Sequence, residues 1–245
     1  DARVGIETWI TNSKMGQKLR YTIFDACGLE VARVETGGTK VVLDIANVHL
    51  WHGRKAPYLY TARIELVVNG EVIDCVSSRF GCRTFKIDPE NGFILNGEEY
   101  PLRGVSRHQD RWGFGNALLP EHHKEDMDLI CEAGFTTIRL AHYQHDQYFY
   151  DLCDERGMIV WAEIPYISQH MPTARENTIS QMKELIIQNY NHPSIVVWGL
   201  SNEVSMKGDK DPDLIENHHI LNDLCHEMDK TRPTSMAVVS PCPID

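Results

Sequence analysis

The residues best placed for acid–base chemistry are Asn202 and Glu203, which follow the apolar run Ile195-Val-Val-Trp-Gly199. This run is rich in β-branched side chains, and its pattern predicts a buried parallel strand. In barrel enzymes the carboxyl ends of the strands carry the chemistry. A carboxyl group there, walled by apolar residues such as Trp198, is one whose ionisation is disfavoured. We therefore expect Glu203 to donate a proton near neutral pH, with an ordinary polar loop as the alternative.

The region before residue 87 consists of short runs in which apolar and polar residues alternate roughly with period two. The Asn69-Gly70 pair predicts a hairpin turn into a strand over Glu71–Val76. About seven short strands in this length are typical of an immunoglobulin-like β-sandwich, which we predict over residues 1–86. Three further strands are predicted from the alternation: Lys18–Phe24, Thr39–Ile45 and Tyr60–Val68.

Residues 87–245 alternate between strand and helix patterns, which implies a parallel sheet. The sheet is either open and doubly wound or part of an eight-stranded barrel. The glycine-rich phosphate-binding loops are lacking, which argues against nucleotide binding. The predicted strands are Tyr100–Val105, Thr136–Ala141, Met158–Ile164, the strand ending at Glu203, and Thr234–Val239. The predicted helices are Glu121–Ala133, Gln147–Arg156, Ala174–Asn189 and Ile215–Asp229.

The composition, with 42% hydrophobic and 24% charged residues, is typical of a soluble globular protein. A net charge of −11 argues against binding to nucleic acid or to anionic membranes. No apolar run approaches the roughly 20 residues of a membrane span. The 7 cysteines are scattered and form no Cys-x-x-Cys, which favours a reduced, cytoplasmic location. A periplasmic location stays open, because the chain starts at Asp1 and a signal could have been removed.

The segment from Asn191-His-Pro-Ser to Asn202-Glu203 closely resembles the acid/base signature of glycoside hydrolase family 2, which includes β-galactosidases, β-glucuronidases and β-mannosidases. The resemblance covers almost the whole chain. It implies an immunoglobulin-like domain followed, over residues 87–245, by the first half of a (β/α)8 TIM barrel with about five strands. The other segments that carry it are Leu50-Trp51, Phe80-Gly81-x-Arg83, Gly92–Gly97 and Leu102–Val105.

By this resemblance, Glu203 is the general acid/base and Asn202 hydrogen-bonds the sugar 2-hydroxyl. His108 contacts the sugar near the transition state, and His142 binds sugar hydroxyls. Arg139 orients the catalytic carboxylates through charge-assisted hydrogen bonds, although a buried arginine at a strand end is also compatible with a structural role. The sequence departs from the family pattern after His142-Tyr143, where Gln144 replaces a proline and leaves the path of the next loop open.

Two further candidates lie on the predicted strand Met158–Ile164. Adjacent barrel strands are about 5 Å apart, so Glu163 is expected to approach Glu203 and to tune its ionisation or to hydrogen-bond near the sugar. An ion-pairing or capping carboxylate is the alternative for Glu163. Trp161 offers an aromatic face for a sugar ring, with a core position as the alternative. Trp198 and Tyr143 are candidates for the same stacking role, again with a core position as the alternative.

Enzymes of this family retain configuration, so the second carboxylate is a nucleophile about 5–5.5 Å from the acid. The resemblance places that glutamate past Asp245. We therefore expect the isolated chain to be inactive, and to form a homo-oligomer or belong to a longer chain. Some family members bind magnesium through a Glu-x-His motif. The corresponding region, Ile164 to His170, lacks the glutamate, so we predict neither a metal site nor a cofactor.

The motifs Arg107-His108-Gln-Asp110 and Cys153-Asp-Glu-Arg-Gly157 resemble the β-galactosidase branch, which implies a β-galactoside or a related oligosaccharide as substrate. A β-glucuronidase is the nearest alternative. A non-catalytic carbohydrate-binding or scaffold module would be favoured if Glu203 and Arg139 were paired and sealed from solvent. A metal-dependent hydrolase that uses His142 and His145 is a third alternative.

Overall fold

A computed structural model describes residues 1–13, 15–204 and 211–238. The first part of the chain is a β-sandwich in which β1 pairs with β4, while the facing sheet has the order β3-β2-β7-β8. The short strands β5 and β6 pair with each other. The strands are β1 (Ala2–Glu7), β2 (Lys18–Phe24), β3 (Glu30–Thr36), β4 (Lys40–Ile45), β5 (Trp51–His52), β6 (Ala56–Pro57), β7 (Tyr60–Val68) and β8 (Glu71–Phe80).

Period-two alternation builds the sandwich core. Along β2, Leu19, Tyr21 and Ile23 point inward and are buried against the inward residues of β4 and β7. Arg20 lies on the outer face, where it pairs with Glu35 at 3.1 Å and reaches across to β7. The alternating polar positions therefore carry a ladder of surface ion pairs, and the apolar positions carry the packing.

The predicted hairpin at Asn69-Gly70 is confirmed, since β7 and β8 pair antiparallel on either side of it. Both turn residues have positive φ, 52° at Asn69 and 87° at Gly70. Two consecutive residues with φ above zero form the turn whose twist matches a two-residue hairpin. The strand beyond it is longer than predicted and continues to Phe80.

The second part is a five-stranded parallel sheet with the order β12-β13-β14-β15-β16, and helices connect successive strands from β12 to β16. The fold is therefore a β-sandwich followed by part of a TIM barrel, as predicted. A small three-stranded sheet precedes it: β9 (Phe85–Asp88), β10 (Gly92–Leu95) and β11 (Glu98–Glu99). The strands of the barrel part are β12 (Gly104–Arg107), β13 (Thr137–Leu140), β14 (Ile159–Glu163), β15 (Ile195–Asn202) and β16 (Thr234–Ala237). The helices are α1 (Pro120–Glu132), α2 (Gln147–Arg156), α3 (Arg175–Asn189) and α4 (Pro212–Met228).

One predicted strand is displaced. The segment Tyr100–Val105 was expected to be a strand, but β12 begins only at Gly104. The backbone N–H of Tyr100 donates to the carbonyl of Phe93 at 2.9 Å, so Tyr100 continues the small sheet, and Pro101 has no N–H to donate. The predicted strand Thr234–Val239 is confirmed as far as Ala237, and its last residue lies outside the described residues.

The small sheet closes the amino end of the barrel strands. Phe93 and Leu95 of β10 pack against Ile159 and Val196 at the starts of β14 and β15. Trp51 of the sandwich is fully buried in the same cluster, and its indole N–H donates to the carbonyl of Asp154 in α2 at 2.9 Å. One hydrophobic cluster therefore joins the two parts and leaves the carboxyl ends of the strands for the site.

The helices cover the outer face of the parallel sheet with a second, larger apolar cluster. Within the described residues, no helix is both long enough and apolar enough to span a bilayer. The cysteines in that part of the chain are free thiols, and Cys242 lies outside it.

Candidate active site

The centre of the site is an ion pair between neighbouring strands. Arg139 of β13 donates to Glu163 of β14 through Nε at 3.1 Å and through Nη2 at 3.0 Å. The same Nη2 donates to Oδ1 of Asn202, the last residue of β15, at 2.7 Å. The Glu163 side chain is only 1% exposed. One guanidinium thus ties together the carboxyl ends of three consecutive strands, with charge-assisted hydrogen bonds to a buried carboxylate.

His142 completes the shell around Glu163, since its Nδ1 lies 2.7 Å from Oε1 of the carboxylate. Nη2 of Arg139 is also 3.2 Å from this nitrogen. One ring nitrogen cannot accept from a guanidinium and donate to a carboxylate at the same time. The shorter contact, to the carboxylate, assigns the proton to Nδ1. In the neutral ring, Nε2 then accepts a hydrogen bond.

His108 lies at the end of β12 with its side chain exposed. Its ring meets the ring of His142 edge to face, with centroids 4.9 Å apart, and lies 6.0 Å from that of Tyr143. The structure therefore brings the predicted residues together at one end of the sheet, as a connected set. Its members are His108, Arg139, His142, Glu163 and Asn202.

Trp161 lies beneath this set, half-buried, with its ring 4.7 Å from the Arg139 guanidinium. Its indole nitrogen has no hydrogen-bond partner among the described residues. Gly199 of β15 faces it, and a Cβ built on Gly199 would collide with both the Trp161 indole and the Cβ of Glu163. Gly199 is a site residue that the sequence analysis missed. A lone glycine inside a buried strand was the available signal, because it often marks a close approach.

Glu203 follows Asn202 directly. Its backbone N–H donates to the carbonyl of Ala237 in β16 at 2.8 Å, and its φ is 56°. A non-glycine residue in the left-handed region is uncommon and is often found at functional sites. This conformation ends the extended alternation of β15, and the Glu203 side chain is exposed.

The predicted apolar wall around Glu203 is wrong. Trp198 is fully buried in the outer cluster with the helices, and its indole N–H donates to Asp229 at 3.0 Å. In a regular strand, Trp198 and Asn202, which are four positions apart, would lie on the same face. The pairing of β15 with β16 is irregular between Gly199 and Asn202, and this shift reverses the parity of the side chains. Asn202 therefore faces Arg139 while Trp198 faces the helices.

The backbone of Asn202 is also held from the other side. Its N–H donates to the carbonyl of Tyr166 at 2.8 Å, and its carbonyl accepts from the N–H of Ser168 at 2.9 Å. Tyr166 is held in turn by a contact between its hydroxyl and the ring of His170. The loop after β14 and the end of β16 thus both fix the position of the Asn-Glu pair.

Arg107 forms a second buried centre that the sequence analysis did not identify. Its guanidinium donates to Asp126 of α1 at 2.7 Å, and its nitrogens lie 3.0 Å and 3.1 Å from Nδ1 of His145 and of His123. It also lies 3.9 Å from the centre of the Phe149 ring. The available signal was an arginine two residues beyond the predicted strand Tyr100–Val105, directly before His108.

These two histidines are held neutral. Burial, reinforced by the charge of Arg107, lowers the pKa of His145 to about 3, against the opposing effect of its hydrogen bond to Ala141. Burial and then Arg107 also lower the pKa of His123. Nε2 of His145 donates to the carbonyl of Ala141, the residue before His142, at 3.1 Å. Arg107 therefore fixes two site residues: His108 through its own backbone, and His142 through His145.

The structure does not support two alternatives from the sequence analysis: the metal-dependent hydrolase and the non-catalytic module. His142 contacts Glu163 while His145 contacts Arg107 and a carbonyl, so the two rings serve different partners and do not form a ligand pair. Arg139 bonds to Glu163 and Asn202, and Glu203 is exposed. The sealed Glu203–Arg139 pair that would have favoured a non-catalytic module is therefore not what the structure has.

A group that could in principle hold a cation lies at the opposite end of the sheet, formed by Asp151, Asp154 and His192. Asp154 already accepts from the N–H of Ser194 and contacts His192 at 2.6 Å, and Asp151 pairs with Arg79 of the sandwich at 2.8 Å. These contacts account for the group as ion pairs that help to join the two parts of the chain.

Comparison with known proteins agrees with this architecture. The family model described as "Glycosyl hydrolases family 2, TIM barrel domain" matches residues 86–243, and the model described as "Glycosyl hydrolases family 2" matches residues 1–83. The chain belongs to family 2 of the glycosyl hydrolases. The boundary at residue 86 and the individual site roles stay predictions.

Individual family 2 relatives carry two activity names. A β-glucuronidase of Bacteroides fragilis is 44% identical over 202 residues, covering 79% of this chain and 29% of that protein. A β-galactosidase of Thermoanaerobacter pseudethanolicus is 33% identical over 191 residues, covering 77% of this chain and 25% of that protein. The crystal structure of an FMN-binding β-glucuronidase from Facaelibacterium prausnitzii is 45% identical with a TM-score of 0.94, covering 98% of this chain and 38% of that one. The chain thus spans 25% to 38% of the length of these proteins.

We predict that Arg139→Met destabilises the complete family 2 protein by about 3–5 kcal/mol, because it leaves the buried Glu163 carboxylate uncompensated. Urea unfolding measures this loss. Arg3→Met is the control, because Arg3 pairs with Asp44 on the surface at 80% and 74% exposure and should cost at most about 1 kcal/mol. The double variant Arg139→Met/Glu163→Met should recover most of the loss. A double variant as unstable as the single one would contradict the argument.

A second prediction concerns pH. The folded-state pKa of His145 is depressed from the ordinary 6.5 to about 3, so its contribution to stability is present above pH 6.5 and is lost as the pH falls towards 3. His145→Gln keeps one donor and one acceptor but cannot bind the proton. The free energy of unfolding of this variant should fall less steeply between pH 6.5 and 4, by up to about 1.4 kcal/mol per pH unit. The exposed His219→Gln is the control. Equal slopes for wild type and His145→Gln would refute the assignment.

Proposed function

We propose that the complete protein is a retaining β-glycosidase in which Glu203 is the general acid/base. The observation that carries the proposal is the connected set around Arg139, which holds Asn202 at the carboxyl edge of the sheet directly before the exposed, left-handed Glu203. Functional groups on rigid strand ends, held by supporting hydrogen bonds, have the organisation that catalysis at such an edge requires.

In the proposed first step, the carboxylic acid of Glu203 gives its proton to the glycosidic oxygen as the bond from that oxygen to the anomeric carbon breaks. A second carboxylate attacks the anomeric carbon and forms a covalent glycosyl-enzyme. In the second step, the Glu203 carboxylate takes a proton from water while the water oxygen attacks the anomeric carbon, and the bond from that carbon to the second carboxylate breaks. The sugar is released, and Glu203 is again protonated.

Glu163 is not a suitable nucleophile in this scheme. Its side chain is 1% exposed, and its two oxygens are engaged by Arg139 and His142. A nucleophile must reach the anomeric carbon, which a carboxylate enclosed in this way cannot do. We therefore assign Glu163 to positioning Arg139 and His142, and the nucleophile to the part of the protein outside this chain.

The geometry supports specific roles for the neighbouring side chains. Because Oδ1 of Asn202 accepts from Arg139, we assign its amide nitrogen, which has no hydrogen bond to another described residue, to donation to a sugar hydroxyl. Because Nδ1 of His142 donates to Glu163, its Nε2 accepts from another hydroxyl. His108, exposed beside His142, supplies a third hydrogen-bonding group, and Trp161 an aromatic face below them.

For the terminal sugar we rank β-glucuronides first and β-galactosides second. Glucuronides are supported by relatives named β-glucuronidase at 44% and 45% identity. Galactosides are supported by the Arg107–Asp110 and Cys153–Gly157 motifs and by the β-galactosidase at 33% identity.

The two sugars are distinguished by comparing kcat/KM of the complete protein on 4-nitrophenyl β-glucuronide and 4-nitrophenyl β-galactoside. We expect the glucuronide to have the higher kcat/KM, because the relatives at 44% and 45% identity are named β-glucuronidases. A preference for the galactoside would reverse the ranking. Hydrolysis of neither would refute both choices of terminal sugar, and inactivity on the 4-nitrophenyl β-mannoside as well would refute the glycosidase proposal.

The role of Glu203 predicts a dependence on the leaving group. Glu203→Gln should lose about 100- to 10,000-fold in kcat/KM on substrates with poor leaving groups, which need protonation. Its glycosylation step on dinitrophenyl glycosides, whose leaving group needs no proton, should be nearly unchanged. Azide needs no general base and should restore turnover of these activated substrates. Glu227→Gln, an exposed change on α4, is the control. Equal loss on both substrate types would argue against a proton-donating role.

A further inference from the structure

The loop between β12 and α1 presents a tryptophan at the same end of the sheet as the site. Trp112 is 97% exposed. It lies in a closed turn: the N–H of Arg111 donates to the carbonyl of Gly115, and the N–H of Gly115 donates to the carbonyl of Arg111, both at 2.9 Å. Gly113 and Gly115 have φ of 83° and 59°, a conformation that glycine adopts without strain. The exposed indole is thus carried by a defined turn.

The turn is attached to α1. Arg111 pairs with Glu125 at 2.6 Å, and the ring of Phe114 meets that of His122 at 4.4 Å. These contacts hold the charged side chain and the second aromatic side chain of the turn against α1. The Trp112 indole is the more exposed of the two aromatic side chains, at 97% against 49% for Phe114.

The loop is also attached to the site. The N–H of Gln109 donates to the hydroxyl of Tyr143 at 3.1 Å, and the Gln109 side chain accepts from the N–H of Asp146 at 2.7 Å. Trp112 is four residues from His108, so their Cα atoms are at most about 14 Å apart. The indole therefore lies within reach of a short oligosaccharide whose terminal ring contacts His108.

The position of Trp112 selects one end of such a ligand. In the proposed function the terminal sugar meets the hydrogen-bonding groups of Asn202, His142 and His108, so any further ring of the ligand lies on the leaving-group side. An indole face attracts the C–H-rich face of a pyranose, and covering an exposed indole removes a large apolar area from water.

We propose that Trp112 is the stacking platform for the second sugar ring, on the leaving-group side of the scissile bond. The inference rests on the proposed glycosidase function and adds a substrate class to it: β-linked disaccharides and longer glycans are preferred to simple alkyl glycosides.

The test compares kcat/KM of the complete protein on a β-linked disaccharide and on the methyl β-glycoside of the same terminal sugar. Trp112→Ala should lose about 5- to 10-fold on the disaccharide and keep its rate on the methyl glycoside. Trp112→Phe should keep most of the disaccharide rate, because it retains an aromatic face. Trp9→Ala is the matched control, since Trp9 is an 83% exposed tryptophan of the sandwich and should change neither rate.

Any of the following outcomes would overturn the inference. An equal effect of Trp112→Ala on both substrates, or no effect on either, would exclude a platform for the second ring. If light scattering gave a lower mass for Trp112→Ala than for both the wild type and Trp9→Ala, the indole would be identified as a contact between copies of the chain. A wild type that cleaves neither substrate would refute the proposed function itself, whereas cleavage of both with no selective loss would refute only the platform.

Discussion

The arrangement of the site depends on one buried carboxylate. Glu163 ends β14 with its side chain almost completely enclosed, and a charge there is tolerated only if it is paired and hydrogen-bonded. Arg139 supplies the opposite charge from β13, on one side of β14. A further hydrogen bond from the same guanidinium fixes Asn202 of β15, on the other side. His142 takes the second carboxylate oxygen. The contacts that satisfy this one charge therefore align three strand ends. Glu203 takes no part in these contacts.

A second arginine, Arg107, lies on the opposite face of the sheet at the same carboxyl edge. Arg107 and Arg139 lie on adjacent strands in neighbouring rows, because Ser106 pairs with Arg139 and Arg107 pairs with Leu140. Side chains alternate between faces along a strand, so Arg139 points to Glu163 and Asn202 while Arg107 points to Asp126 and the two histidines, His123 and His145. The inner guanidinium organises the groups that we propose to bind the sugar. The outer one anchors the loops that carry His108 and His142, and it requires neutral histidines as acceptors.

The two ends of the sheet differ: the amino end carries an apolar cluster, and the carboxyl end carries the polar groups of the candidate site. At the amino end, Trp51 of the sandwich, the small sheet and the first residues of β14 and β15 form one dry cluster. At the carboxyl end the groups are polar, and Trp112 extends the edge into solvent. This division is expected of a barrel, where loops at the carboxyl end can vary while the core is supported from below. Family 2 membership and the polar carboxyl edge are thus consistent with each other at the level of individual contacts.

The sequence by itself determined the elements and the residue types at their ends. The period-two alternation predicted β2 and β7, and Asn69-Gly70 predicted the hairpin from β7 to β8. The family resemblance named Asn202, Glu203, His108, Arg139 and His142 as site residues.

Tertiary structure decided which partner each side chain meets. Because the pairing of β15 is irregular between Gly199 and Asn202, Trp198 faces the helices and not the site. Because Gly199 has no side chain, the Trp161 indole can pack directly against it. Arg107 acquired its role only because α1 and the loop after β13 converge on it. Periodicity along a chain reports burial, but a one-residue shift between strands exchanges their faces, and that shift is set by contacts between segments far apart in the sequence.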